Sequence, residues 1–554
     1  MKTTKLFFMA ALALTFAACS NDDNDLTTQQ PQKAQGIPFT ATISMGGDKA
    51  TTRALSENGS GLTATWTVDE EVALIHNGII DKVTVASVSG NDATISGTIT
   101  TDADGASVTV IFPYSAVDLV TKDVKAGLLA AQDGTLATIA AKYDVRKGTG
   151  KLQVSGDPAV ASLNGNVSLN NQFAIWKLTL NQTAKDLYIT AGGEFLAGAT
   201  LASEGTEFYV AVPSVSSETV AVVATDGSSN CWSYSKDGVS LATGNYYKSN
   251  VAMDALDDDN NKPLYKITGT SGVTIPDGKT VVLSDVNISG GSITCNGNAN
   301  IILMGDNTVT AAANTAAIEI GGSGTTLTIT GSGSLTVKGG NYAAAIGTGY
   351  ANNASVAGGN IEINGGTITA TGGTSSAAIG TGYAYYNGHN KCGAITINGG
   401  TVTAYGGYAG IGTGGANQSS SNECGAITIN GGTVSAQGVN GAGIGTGNTN
   451  NSGSNECGAI TINGGTVTAT GGQRSAAIGT GNASNSGSNE CGAITISTGV
   501  TSVTATKGNN SPNSIGKGFA NNGSQTCGTS TIGGDATTYA DGVTESPFYY
   551  PTAP

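Results

Sequence analysis

The line CGAITINGGTVSAQG from Cys424, followed by AGIGTG from Ala442, decides the fold because it is one copy of a cassette. The same words return at Cys392 (CGAITINGGTVTAYGG), Cys457 (CGAITINGGTVTATGG) and Cys491 (CGAITI). Lines without the cysteine come earlier, as GNIEINGGTITATGG from Gly359 and TTLTITGSGSLTVKGG from Thr325. The isoleucine of IGTG falls at Ile346, Ile379, Ile411, Ile444 and Ile478, in steps of 33, 32, 33 and 34 residues. A period that regular means stacked copies of one unit.

In AITI, and again in TVTA, apolar residues alternate with threonine, so each is a short strand with one apolar face. The paired glycines between them sit where the backbone must bend sharply. The polar segment between IGTG and the next CG, such as NTNNSGSNE from Asn448, has the composition of a loop. Without about ten loop residues, roughly 23 remain, enough for three strands of about five residues, or one coil of a parallel β-helix. Coils stacked about 4.8 Å apart put isoleucine and valine inside, threonine and asparagine outside. A helical reading fails, because the apolar spacing is two and glycine is too frequent.

At 554 residues the chain has room for two or three domains, and 83 glycines with 11% charged residues fit a turn-rich extracellular protein. The net charge of −15 excludes nucleic acid and electrostatic binding to anionic lipid. Two histidines, His76 and His389, leave little for histidine catalysis or zinc, and no cofactor is expected.

Residues 1–18 join Lys2 and Lys5 to an apolar run too short to span a membrane, the pattern of a signal peptide. The run ends in Phe16-Ala17-Ala18-Cys19, which resembles a bacterial lipobox with phenylalanine in place of the usual leucine. By that resemblance Cys19 is lipidated. The following Ser20-Asn21-Asp22-Asp23-Asn24-Asp25 resembles the acidic export signal of surface lipoproteins in Bacteroidota. Residues 19–36 then read as a tether, 37–254 as many short strands without a long amphipathic helix, 255–263 as an acidic linker, 264–535 as the β-helix and 536–554 as a tail covering its end.

Within 37–254 the order of motifs is informative. Thr52-Arg53-Ala54, Trp66 before Asp69-Glu70-Glu71, Phe112-Pro113-Tyr114, Gln132-Asp133-Gly134-Thr135-Leu136, Phe208-Tyr209-Val210-Ala211-Val212-Pro213 and Gly244-Asn245-Tyr246-Tyr247 together resemble the fimbrillin-like family of Bacteroidota. The resemblance implies tandem β-sandwiches and a cell-surface role as a fimbrial subunit or adhesin. It also implies proteolysis after an early arginine, here between Arg53 and Ala54, which frees a strand and opens a groove for a partner's strand by β-augmentation. An ordinary surface arginine is the competing reading of Arg53. The large domain that follows departs from a shaft subunit and points to a tip, accessory or non-polymerising one. The repeat lines are also similar to β-helical repeats of bacterial surface proteins, some of them carbohydrate-binding.

Several columns invite a chemical reading. Cys392, Cys424, Cys457, Cys491 and Cys527 hold one repeat position; parallel side chains and an odd count favour buried thiols over disulfides or metal. Glu423, Glu456 and Glu490 each precede a cysteine and are expected to face solvent. No pair of acids at different positions faces one groove, so no catalytic residue and no metal site are expected. The tyrosines differ in kind, because they are confined to early coils. Tyr350 and Tyr383 each follow an IGTG isoleucine by four residues, with Tyr385, Tyr386, Tyr405 and Tyr408 nearby. Exposed ring faces beside Asn and Thr suit a sugar, whose C–H faces pack on rings; the alternative is that they cover hydrophobic edges.

The expected molecule is therefore an all-β, non-enzymatic lipoprotein of the outer membrane surface: fimbrillin-type sandwiches carrying a distal β-helix of roughly 33-residue repeats. Its expected role is adhesion or fimbrial assembly. Expected partners are the outer membrane through a lipid anchor, other fimbrial subunits, and host or dietary glycans, without nucleic acid. The alternative is a glycan-binding lipoprotein for polysaccharide capture, and the third reading is a polysaccharide-degrading β-helix enzyme.

Overall fold

The computed structural model describes residues 36–45, 56–58, 61–63, 66–100, 104–119, 121–125, 127–227, 230–256, 258, 264–267, 269–533 and 537–551. Cys19, Arg53 and Ala54 lie outside them, as do the leader and nearly all of the tether.

The first unit begins with Ile37–Met45, whose alternation buries Phe39, Ala41, Ile43 and Met45. This strand pairs antiparallel with Asp92–Ile99 on one side, and parallel with Val160–Leu163 and Val167–Asn171 on the other. The path through Glu71–His76, Ile79–Ser89, Ser107–Phe112 and Arg146–Ser155 thereby closes on itself. Trp66 meets Phe112 edge to face at 4.8 Å inside this core.

The second unit has its own core, built on the hairpin Ala174–Ala191 with Glu194–Val212 and continued by Val215–Thr225 and Cys231–Leu241. Tyr246–Val251 pairs parallel to the first strand of that hairpin. Gln132, buried in the crossover, donates to the carbonyls of Leu129 and Ala211 and accepts from the Ala211 N–H, so the amide pins the crossover to the Glu194–Val212 strand.

From Leu264 the chain winds as a parallel β-helix. The first ladder runs through Thr280, Asn300, Thr328, Glu362 and Thr396, so successive coils take 20, 28, 34 and 34 residues. Early coils have three ladders, and the later ones have five. The polar segment read as loop is the reason: Thr449–Asn450 and Ser454–Cys457, for example, are strands stacked on their counterparts in neighbouring coils. Backbone bonding between identical segments orders a stretch whose composition alone reads as loop. The interior is a column of isoleucine, valine and alanine, each buried isoleucine contributing about 1.5–3 kcal/mol. Asparagine was expected outside, yet Asn390, Asn422, Asn455 and Asn489 are buried. Their amides cap turn carbonyls instead, as Asn422 does to Gly415 at 2.7 Å and Asn489 to Asn482 at 3.0 Å. At the C-terminal end Thr537–Tyr539 and Phe548–Tyr550 add antiparallel to the last coils, and Phe548 and Val543 cover the core.

The β-helix is not distal. Tyr188, Ala221, Val223 and Cys231 of the second unit pack against Leu264, Val282, Ile302 and Met304 on the outer face of the first ladder. Fully buried Asp186 accepts from Thr200, Thr225 and, across this junction, Ser332 at 2.8 Å. Farther along, Asn364, Asn398, Asn430 and Asn463 hydrogen-bond in series, and Asn463 reaches Asp118 of the first unit at 3.2 Å. The helix therefore lies back along both sandwiches.

Candidate functional site

The last strand of each IGTG turn fixes where a side chain four residues beyond the isoleucine must stand. Tyr350 and Tyr383 hold that position in adjacent coils, directly before the stacked pair Ala351 and Ala384. Their rings lie 5.9 Å apart and 3° from parallel. Tyr342 leans on both, at 5.1 and 5.6 Å, and Tyr383 also meets Tyr385 at 5.8 Å and Tyr408 at 6.5 Å. Tyr386 extends the group from Tyr385 at 5.7 Å. The next coil has Gly415 at the ridge position, and the Tyr408 ring occupies its space: a Cβ on Gly415 would stand 2.1 Å from that ring. Tyr405 does not join them. It stands on the TVT ladder, in register with Thr371 and Gln437, and is exposed there.

Two of these tyrosines adopt left-handed backbone, Tyr342 at φ 66° and Tyr386 at φ 52°. A bulky residue there costs about 1–2 kcal/mol, whereas asparagine, which holds the place of Tyr342 in an earlier coil as Asn314, tolerates it. Burial pushes the Tyr383 hydroxyl up to about 12, partly offset by a hydrogen bond with Asn417, so this phenol is uncharged at neutral pH. Burial and the neighbouring phenols raise Tyr350 as well. The result is a neutral, partly exposed face of ring surface with hydroxyl rims, able to take C–H faces and hydroxyl groups together.

The other columns take the forms that stacking dictates. The five cysteines are in register and free, four of them buried and Cys527 half-buried. The bond to Cys424 and burial hold the Cys392 thiol far above the ordinary range. Glu423, Glu456 and Glu490 are exposed, and Glu423 pairs with Lys391 at 2.5 Å. Arg474 and Phe519 carry a contact that counting along the sequence could have found: Phe519 stands four residues after Ile515, the ridge position again. The Arg474 guanidinium lies 5.3 Å from its ring.

Residues 361–383, 395–415, 427–448 and 460–482 match the family described as beta helix repeat. The C-terminal domain is built of β-helix repeats. No curated protein matches the chain. Seven chains of solved structures do match. A fimbrial protein from Bacteroides ovatus is 16% identical with a TM-score of 0.22, over 39% of this chain and 50% of its own. Cell adhesion proteins, called putative, from Bacteroides uniformis (10% identical, TM-score 0.22) and Bacteroides eggerthii (11%, 0.21) each align with 41% of this chain, over 97% and 89% of their own. The chain thus spans half the length of the first. At these TM-scores the molecules do not superpose as wholes, and no role passes from them to this protein.

Proposed function

We propose that this protein is a non-enzymatic adhesin of the cell surface, in which the sandwiches serve attachment or assembly and the β-helix holds a glycan. The observation that carries the reading is the stacked platform of Tyr342, Tyr350 and Tyr383, kept despite the strained backbone at Tyr342. If the rings served only to seal the helix, nothing would require a tyrosine in the left-handed turn. The test is a glycan array probed with the full chain and with a Tyr350→Ala/Tyr383→Ala double variant. Binding to at least one glycan class by the first and loss by the second supports the reading; equal binding, or none by either, sinks it. Polysaccharide capture is the other role that the same platform would serve.

A second reading, assembly with fimbrial subunits as a tip or accessory member, draws on two features. Ile37–Met45 is the strand that closes the first unit, so cleavage at Arg53 would cut the chain just after it. In the second unit a groove of about 380 Å³ opens between Cys231–Leu241 and Tyr246–Val251, lined by Trp176, Val222, Val239, Leu241 and Val251. Its apolar floor and strand edges suit an added strand. N-terminal mass analysis of the native protein tests this together with the outer-membrane anchor. A lipid on Cys19 with Arg53 uncut supports the anchor and opposes strand exchange; a new terminus at Ala54 supports exchange.

A further inference from the structure

We infer that the tyrosine platform is one of two on a single ridge, and that the ligand is a linear glycan lying along the β-helix axis across both. The inference rests on reading the tyrosines as a sugar site. The ridge is the position just before the fourth ladder, whose residues Ala384, Ala416, Thr449, Ala483 and Ala520 are paired in register. Tyr383 and Phe519 therefore stand four coils apart on one line, about 19 Å at about 4.8 Å per coil.

The two ends are built alike. At one, Tyr342 in left-handed backbone lays its ring 5.6 Å from Tyr383 of the next coil, and its carbonyl accepts from the Tyr383 N–H at 2.8 Å. At the other, Arg474 at φ 65° lies over Phe519 of the next coil, and its carbonyl accepts from the Phe519 N–H at 2.9 Å. Asparagine holds this turn position at Asn314 and Asn510, so a bulky side chain has replaced the residue the backbone favours at both platforms and for the same placement. Arg474 has no carboxylate partner among the described residues, which leaves its planar set of donors for hydroxyl groups. Between the platforms the ridge carries the Tyr408 ring across Gly415, then Asn448 and Asn482. Asn448 accepts from the Asn482 backbone N–H through its side-chain oxygen, and neither side-chain amide nitrogen donates to a partner among the described residues. Rings at the ends and free donors between them describe a track, and a track with one direction selects an extended chain over a compact sugar.

The test is calorimetric titration of the full chain with cello-, xylo- and galacto-oligosaccharides from disaccharide to octasaccharide. Chains long enough to span about 19 Å should bind about tenfold or more tighter than short ones, because the second contact is then intramolecular. Phe519→Ala and Arg474→Ala should each remove that length advantage, while Phe519→Tyr should retain it. Tyr383→Ala should weaken short and long chains together. Length-independent binding that still requires Tyr383 overturns the track and leaves the platform standing. Absence of binding by the wild-type chain to every series overturns both. Arg474→Ala alters a surface side chain, so it decides the matter should Phe519→Ala unfold the last coils.

Discussion

Replacing Gly412 by alanine isolates the contact that sets the pitch of the helix. Gly347, Gly380, Gly412, Gly445 and Gly479 repeat at φ between 129° and 136°, outside the regions open to residues with a Cβ. At Gly412 an added Cβ would stand 1.9 Å from the Gly445 carbonyl oxygen and 2.9 Å from its carbon. Both are backbone atoms of the next coil, so neither can turn aside. The cost therefore has two parts: left-handed strain of about 1–2 kcal/mol, and displacement of stacked backbone that ordinary overpacking places at about 1–3 kcal/mol. Gly324 is the control, since it also has positive φ, 85°, but a Cβ there meets nothing within 4 Å. Urea unfolding followed by circular dichroism should show Gly324→Ala losing about 1–2 kcal/mol and Gly412→Ala about 2–5 kcal/mol, the excess combining coil-to-coil contact with the less accessible backbone at φ 131°. Equal losses for the two would refute the claim that close carbonyl approach, rather than local backbone, demands glycine in IGTG.

Three further outcomes follow from the same structure. Ile444 is fully buried between Ile411 and Ile478, so Ile444→Ala should cost about 2–5 kcal/mol in the same urea assay. Iodoacetamide on the native protein should label Cys527 ahead of Cys392, Cys424, Cys457 and Cys491, read by peptide mass, and all five after denaturation; Cys527 is the half-buried one, and the bond from Cys491 lowers its thiol while burial opposes. Burial between helix and sandwiches raises Glu362 above its ordinary range. The fold thus favours the protonated acid, and the stability this confers is full below the unfolded value, roughly 4.3, and lost as pH rises through the higher folded one. Glu362→Gln, which can still accept from Asn398, should stabilise the protein at pH 7 and lose that gain near pH 4, measured by thermal melts across pH.

The repeat was legible because AITI and TVTA meet two independent conditions, alternation within a strand and recurrence between coils. The segment NTNNSGSNE failed the first and met the second. Its order comes from backbone pairing with near-identical neighbours, which a composition reading does not weigh. The junction leaves a trace in the sequence. Lys279–Ser284 and Ala299–Met304 are almost continuously apolar, KTVVLS and ANIILM, and the structure buries both of their faces, one inside the helix and one against the second sandwich. The outward place held by Val282 and Ile302 passes in later coils to Thr330 and then to Asn364, Asn398, Asn430 and Asn463. The change from valine and isoleucine to threonine and asparagine at that place marks where the apolar part of the sandwich contact ends.

In a solenoid, repetition converts any residue of the cassette into a column, so a column is weak evidence for a site. The thiols and the glutamates show this: in-register neighbours point in parallel and never converge on one centre. Convergence needs unlike groups from different positions, and here it occurs where the cassette is broken. Tyr342 comes from the turn, Tyr350 and Tyr383 from the ridge, and Tyr408 from the loop beside a glycine that makes room for it. Arg474 and Phe519 repeat the turn-and-ridge pairing four coils away with different chemistry. Strain separates these from incidental surface rings. A left-handed turn that takes asparagine at Asn314 and Asn510 holds Tyr342 and Arg474 instead, and in both cases the side chain so placed lies over a ring of the next coil.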